Sequence, residues 1–245
     1  MSNLDLALIG NGRIGALVDA DASIVWVCFP RFDGDPVFCA LLDRGAPGDV
    51  RGIWSVELVD GAESTQAYAD NTAVVVTRLT DSAGGVVEIT DCAPRFELHG
   101  RLHQPTTIVR RIRRLAGSPR VVVRVRPMFA YGRTDPVVTT GSHHIRYVGP
   151  ELTLRLSTDA SVTAILEERP VFVEDTITLL LGADEPITDH LPELGRRFVE
   201  ATLLFIIAGA SDAADGFIAK RFGAASRLGA YLDPVADKAL LVSVF

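Results

Sequence analysis

Four aspartates near the end of the chain, Asp212, Asp215, Asp233 and Asp237, stand at spacings that could do chemistry. On a helix the first two share one face, and the second two share one face of a following helix. Two such helices side by side would bring four carboxylates together. Such a cluster is unfavourable in an apolar setting unless hard divalent cations, which prefer oxygen ligands, neutralise it. Gly216 follows the second aspartate and leaves room for a ligand to approach the backbone. Gly223 and Gly229 flank the expected turn, and Pro234 fits an early position of the second helix, where a missing N–H costs least. Lys220, Arg221 and Arg227 can hold phosphates, arginine being the better bidentate partner. On helix spacing alone, the same acids also fit an amphipathic hairpin whose carboxylates are merely solvated.

The whole string is more specific than the spacing. Asp212-x-x-Asp215-Gly216-x-x-Ala219-Lys220, then eight residues, then Gly229-x-x-x-Asp233-x-x-x-Asp237, resembles the signature of CDP-alcohol phosphatidyltransferases. One position departs: Lys220 stands where the motif has arginine, with Arg221 beside it, so charge is kept and bidentate geometry is not assured. The resemblance implies that Asp212, Asp215 and Asp233 bind Mg2+ (or Mn2+) and the CDP diphosphate. It implies that Asp237 completes the carboxylate cluster and takes the proton of the acceptor alcohol. Gly216, Lys220, Arg221 and Gly229 would contact substrate. CDP-diacylglycerol would be the donor, CMP the leaving group, and a small alcohol such as glycerol 3-phosphate the acceptor. The family is a bundle of membrane helices, of which this sequence offers a part, so an incomplete and inactive enzyme is one expectation.

The elements that must position these residues are helical. The stretch 193–222 loses period-2 alternation, and 198–210 is mostly apolar. That apolar run is shorter than the roughly 20 residues needed to cross a bilayer. Read as one helix over 198–222 it is about long enough, provided its carboxylates face a protein-lined cavity. A Pro-rich acidic connector, 184–192, precedes it.

Everything before the connector reads as strands. Runs at 24–28, 54–58, 74–79 and 86–89 have strand length, and Asp-Ser-Ala-Gly-Gly at 81–85 predicts a hairpin. Runs at 107–115, 120–126 and 152–156 extend the series. In the last two, apolar and arginine residues largely alternate, which predicts arginine on a wet face and Val or Leu on a buried one. Arginines 110, 111, 113, 114, 120, 124 and 126 are read as solvating an outer strand face. The expected fold is mainly β, an antiparallel β-sandwich, followed by a C-terminal α-helical, membrane-type hairpin fragment.

Gly10-Asn-Gly-Arg-Ile-Gly15 matches a dinucleotide-binding fingerprint, but a strand rather than a helix follows, so a tight hairpin is expected. The same stretch, with Ile24-Val-Trp, Phe29-Pro-Arg-Phe-Asp and Pro36-Val-Phe, resembles the start of bacterial glycoside hydrolase family 15 proteins, glucoamylase or trehalase-like. Val86-Val-Glu-Ile-Thr-Asp-Cys-Ala-Pro-Arg-Phe and Leu179-Leu-Leu-Gly-Ala-Asp-Glu-Pro extend the likeness over nearly all of 1–200. It implies a supersandwich that in the family precedes an (α/α)6 barrel carrying the catalytic glutamates, for which this sequence has no room. Glycoside hydrolysis needs two carboxylates flanking the bond. Asp19, Asp21, Asp33 and Asp35 sit among turn residues and are read as turn formers instead.

Composition narrows the rest. The 245 residues are 48% hydrophobic with a net charge of −7, which offers no overall attraction for nucleic acid. Cys28, Cys39 and Cys92 are too widely spaced for a metal motif and are expected as reduced, packed thiols. The first residues carry no signal-peptide pattern. The expected organisation is a sandwich over 1–183, a connector and helix start over 184–200, and a partial transferase domain over 201–245. The sandwich is placed in the cytoplasm, with the C-terminal segment associated with membrane lipid. A non-catalytic sandwich module of a carbohydrate-active protein, or an inactive chimera, is the alternative.

Overall fold

The computed structural model describes residues 5–42 and 49–205. A tight hairpin joins β1 (Ala7–Gly10) to β2 (Gly15–Val18), pairing Gly10 with Gly15. Asn11 holds its turn: its Oδ1 accepts from the N–H groups of Arg13 and Ile14, and its Nδ2 donates to the carbonyls of Pro94 and Pro105. The glycine-rich motif is therefore a hairpin, as its following strand required. Next come β3 (Ile24–Phe29), β4 (Asp35–Phe38), β5 (Ile53–Leu58) and β6 (Gly61–Tyr68). The expected hairpin at 81–85 connects β7 (Val75–Asp81) to β8 (Val86–Cys92). There Asp81 Oδ1 accepts from the N–H groups of Ala83 and Gly85, and Gly84 takes a φ of +84° that favours glycine.

A small separate hairpin, β9 (Phe96–Leu98) and β10 (Arg101–His103), precedes the long β11 (Thr107–Ala116) and β12 (Arg120–Arg126). Then follow β13 (Val137–Thr140), β14 (His144–Val148) and β15 (Thr153–Thr158). A one-turn helix, α1 (Val162–Leu166), is capped by Ser161. It leads to β16 (Val171–Phe172) and β17 (Thr176–Ala183). Residues 191–205 form a second helix, α2.

Among the described residues the strands build two large antiparallel sheets. One has the order β1-β2-β3-β5-β12-β16 with β4 paired to β3; the other runs β13-β14-β15-β17-β11-β8-β7-β6. Between them lies one apolar core that includes Ile9, Ile24, Trp54, Val123, Ile89, Ile108, Leu156 and Leu181. This is the mainly β, sandwich-like architecture that the strand pattern predicts.

β17 shows how the layers arise. Its run Ile-Thr-Leu-Leu-Leu-Gly is buried from Ile177 to Gly182, the mark of a strand covered on both faces. Ile177, Leu179 and Leu181 point into the core between the sheets. Leu180, in register with Val109, which is itself in register with Cys92, points the other way. There it joins Val74 and Val199 in a second apolar cluster, against which Leu191, Leu194, Phe198 and Leu203 of α2 pack. A third layer thus covers the outer face of the larger sheet.

Two sequence expectations need correction. Arg110 is fully buried rather than solvated, because it shares the parity of Ile108 and Ile112 and so faces the core. It is tolerated there by a bidentate pair with Asp91, its partner in register, at 2.7 and 2.9 Å. Arg124 and Arg126 do face away from the core, but Glu168, just after α1, accepts hydrogen bonds from both and leaves their side chains only 20% and 29% exposed. None of the three cysteines is in a disulfide, and all are buried, as expected of packed thiols.

Candidate functional site

The chemistry-bearing residues that the sequence singled out, Asp212, Asp215, Gly216, Lys220, Arg221, Gly229, Asp233 and Asp237, lie outside the described residues. So does most of the expected helix over 198–222. The structure shows the base on which the start of that helix is mounted. No helix among the described residues is long and apolar enough to cross a membrane.

α2 lies close against the sheet because Gly195 has no side chain. A Cβ there would come within 2.5 Å of Thr178 Cγ2 on β17. Such contact is forbidden by hard-core repulsion, so glycine is retained in a helix interior despite its roughly 1 kcal/mol propensity cost. Further along, Phe198 stacks on Phe96 with ring centroids 5.9 Å apart, and the Phe96 ring stacks in turn on His103 at 5.5 Å. Thr202 is buried; its hydroxyl donates to the Phe198 carbonyl and accepts from the Arg95 N–H. The Arg95 guanidinium lies over the Phe205 ring at 5.3 Å. On the exposed side, Arg196 bridges Glu193 and Glu200, which spans one turn in each direction and supports the helix locally. Burial under this helix, with the Asp91 charge nearby, pushes the Cys92 thiol up to about 12. The thiolate is the reactive form, so Cys92 is a packing group rather than a nucleophile.

Of the N-terminal aspartates, Asp19 behaves as a turn former. Asp19 Oδ1 accepts from the N–H groups of Asp21 and Ser23, and Asp33 is paired with Arg31. Asp35 accepts from the N–H groups of Ala130 and Tyr131, two non-glycine residues at positive φ that it holds in place. Asp35 and Tyr131 line an open cleft of about 440 Å³ together with Phe29, Phe129 and Glu151. Among the described residues no cluster of three His, Cys, Asp or Glu side chains could hold a metal ion.

Sequence reasoning missed the buried Asp91–Arg110 pair, although its signal was present: charged residues at core-parity positions of adjacent strands. It also missed a cavity beside Arg155 at the foot of α2, which forms only when the connector folds back onto β14 and β15.

Comparison with known proteins separates the two halves. The profile of the family described as "Trehalase-like, N-terminal" matches residues 4–170, well over half of the chain. The chain belongs to the trehalase-like N-terminal family. A second profile, "CDP-alcohol phosphatidyltransferase", matches residues 177–245. Its match opens on β17, a central strand of the larger sheet, so the second matched region begins inside the folded sandwich.

Relatives divide in the same way. Trehalase 1 of Sulfolobus acidocaldarius is 34% identical over 146 residues, 59% of this chain and 23% of its own length. A trehalase of Thermoplasma volcanium is 25% identical over 151 residues, 62% of this chain and 24% of its own. A CDP-diacylglycerol–glycerol-3-phosphate 3-phosphatidyltransferase of Haemophilus influenzae is 44% identical over 57 residues, 23% of this chain and 30% of its own. The trehalase-like chain thus spans about a quarter of the trehalases and under a third of the transferase. No solved structure matches it.

Proposed function

We propose that residues 201–245 form part of a CDP-alcohol phosphatidyltransferase domain, with a non-catalytic trehalase-like sandwich, 1–183, ahead of it and 184–200 as connector and helix start. The observation that carries this reading is the run of aspartates and glycines from Asp212 to Asp237, at the spacing of the transferase motif, inside the segment that the transferase profile matches.

The donor set fits a divalent cation. Asp212, Asp215, Asp233 and Asp237 supply only carboxylate oxygens, the ligands that Mg2+ prefers and that Mn2+ accepts. When bound, the metal neutralises charge on the diphosphate of the CDP-alcohol. In this reading, Lys220 and Arg221 bind the diphosphate, and Gly216 and Gly229 let the substrate approach the backbone. Asp237 accepts the hydroxyl proton of the acceptor. The acceptor oxygen forms a bond to the β-phosphorus of the CDP-alcohol as the bond to CMP breaks. CDP-diacylglycerol and glycerol 3-phosphate, the substrates in the name of the Haemophilus relative, are the proposed pair. Membrane lipid would then surround the C-terminal segment.

The test is Mg2+-dependent release of CMP from CDP-diacylglycerol and glycerol 3-phosphate by the full chain in detergent. Activity lost on chelation and in Asp212→Asn and Asp237→Asn supports the reading. Absence of CMP release at saturating substrate and metal refutes catalysis by this chain. A second reading, favoured by the 4–170 match, makes the sandwich an accessory module of a carbohydrate-active protein. Glucose release from trehalose by the purified chain, abolished by a substitution within the sandwich, would overturn its non-catalytic assignment.

A further inference from the structure

The cavity at the foot of α2 has a volume of about 590 Å³ and lies between strands β14 and β15 and the connector. Arg155, Asp159, His143 and His144 line it from the sheet, and Asp189 and His190 from the segment entering α2. Arg155 is the unusual member. Its side chain is only 16% exposed, yet among the described residues its one ion-pair contact is a long 3.5 Å approach of Nη1 to Asp184. Its Nε is buried without any hydrogen-bond partner. Asp184 itself is already engaged by Arg146, at 2.9 and 2.5 Å. Arg146 and Arg155 thus share Asp184, and Asp159 and Asp189 add two carboxylates to the lining, so what is in excess at Arg155 is hydrogen-bond donors rather than net charge. A guanidinium has five N–H donors in a fixed fork, and here the buried Nε–H has no acceptor while Nη1 has only that long one.

Further features of the cavity bear on an anion. His143, His144 and His190 supply ring N–H donors. α2 starts at the cavity: the Leu194 N–H bonds to the His190 carbonyl, so the backbone N–H groups ahead of it, at the positive end of the helix dipole, have no intrahelical partner. Burial, Arg155 and Arg146 together hold the His144 imidazole below its usual value, the response of a base in a positive field. The opposing carboxylates are Asp184, whose charge works to raise His144, Asp159, which accepts from the Thr178 N–H at 2.7 Å, and Asp189.

We propose that this cavity binds a small tetrahedral oxyanion, a phosphate group free or esterified to a small polyol, with Arg155 as its principal ligand and the three imidazoles as donors. The site is independent of the transferase reading, since every residue in it belongs to the described sandwich and its connector.

Sulfate is the first probe, because it stays dianionic while the protein is titrated. The full chain is titrated with it by calorimetry and by the ring resonances of His144. Sulfate is expected to raise the titration midpoint of His144, and binding is expected to tighten as the pH falls through that midpoint. Arg155→Gln should weaken binding by about tenfold or more. Arg196→Gln, which removes the same charge from the exposed side of α2, should leave it unchanged. Competition by inorganic phosphate and by glycerol 2-phosphate separates the two sources, the tighter competitor identifying the natural form. Equal affinity in a folded Arg155→Gln, or no effect of sulfate on His144, overturns the proposal. Should Arg155→Gln fail to fold, His144→Asn and His190→Asn decide: unchanged affinity in both also overturns it.

Discussion

Removing one member of the Asp91–Arg110 pair should unbalance the sandwich more than any surface change. Both side chains are fully buried, the pair is bidentate at 2.7 and 2.9 Å, and Arg110 Nη1 also donates to the Trp54 carbonyl at 2.9 Å. The guanidinium lies 4.9 Å from the Trp54 ring centroid. In Arg110→Met the aliphatic volume is nearly kept, but Asp91 is left charged in the core. The cost of such an orphaned ion is about 3–5 kcal/mol. For a domain of this size that corresponds to a fall in Tm of about 6–20 °C. In Asp91→Leu/Arg110→Met the orphan is gone, and most of the loss should return. A residual near 1 kcal/mol is expected from the Trp54 carbonyl that loses its donor. Urea unfolding followed by tryptophan fluorescence reads the cycle, since Trp54 sits in the core. A single variant costing under about 1 kcal/mol would refute the reasoning, because an unpaired buried charge cannot be that cheap. So would a double variant no more stable than Arg110→Met.

Other outcomes follow from particular contacts. Gly195→Val places branched carbons where Thr178 already stands, so α2 should lift from the sheet at a cost of about 1–3 kcal/mol. Hydrogen exchange should then rise in 191–205 and in β17; unchanged protection would contradict the close-approach argument. Burial works against the Glu88 charge, but hydrogen bonds from Arg113 and Arg78 outweigh it and hold the carboxyl below its ordinary 4.5. Its folded value lies below the unfolded one, so its stabilisation is present above about pH 4.5 and lost as pH falls through the folded value. Glu88→Gln should therefore flatten the acid-side decline of urea midpoints, with parallel curves for variant and parent counting against it. Asp19, whose carboxyl burial raises, acts with the opposite sign, so Asp19→Asn should not flatten that decline. If the transferase reading holds, Lys220→Arg, which restores the motif residue, should keep or increase Mg2+-dependent CMP release, and a tenfold loss would remove Lys220 from the phosphate-binding set.

Much of the fold is legible in the residues themselves. Period-2 runs and turn residues locate β3, β5, β7, β8, β11, β12 and β15, and a strand following the glycine motif excludes a nucleotide loop. Shorter or more polar strands escape such a reading. β6, Gly-Ala-Glu-Ser-Thr-Gln-Ala-Tyr, is exposed almost throughout, and β13 is exposed at every residue, so neither carries an alternating signal. Arg110 on β11 defeats the pattern for a different reason: it shares the parity of Ile108 and Ile112, and a charge there reads as solvent-facing until Asp91 is placed opposite it in register.

The sequence by itself determined the two family likenesses, the strand-rich body, the helical change after the connector and the aspartate spacing from Asp212 to Asp237. These rest on residue type and local periodicity, which a linear chain displays. Only tertiary structure decided that Arg110 is inside, that Gly195 is where a helix meets a strand, and that Arg155 is left short of partners beside three imidazoles. Each depends on what distant segments place opposite a side chain, across sheet registers and layers that no local pattern encodes.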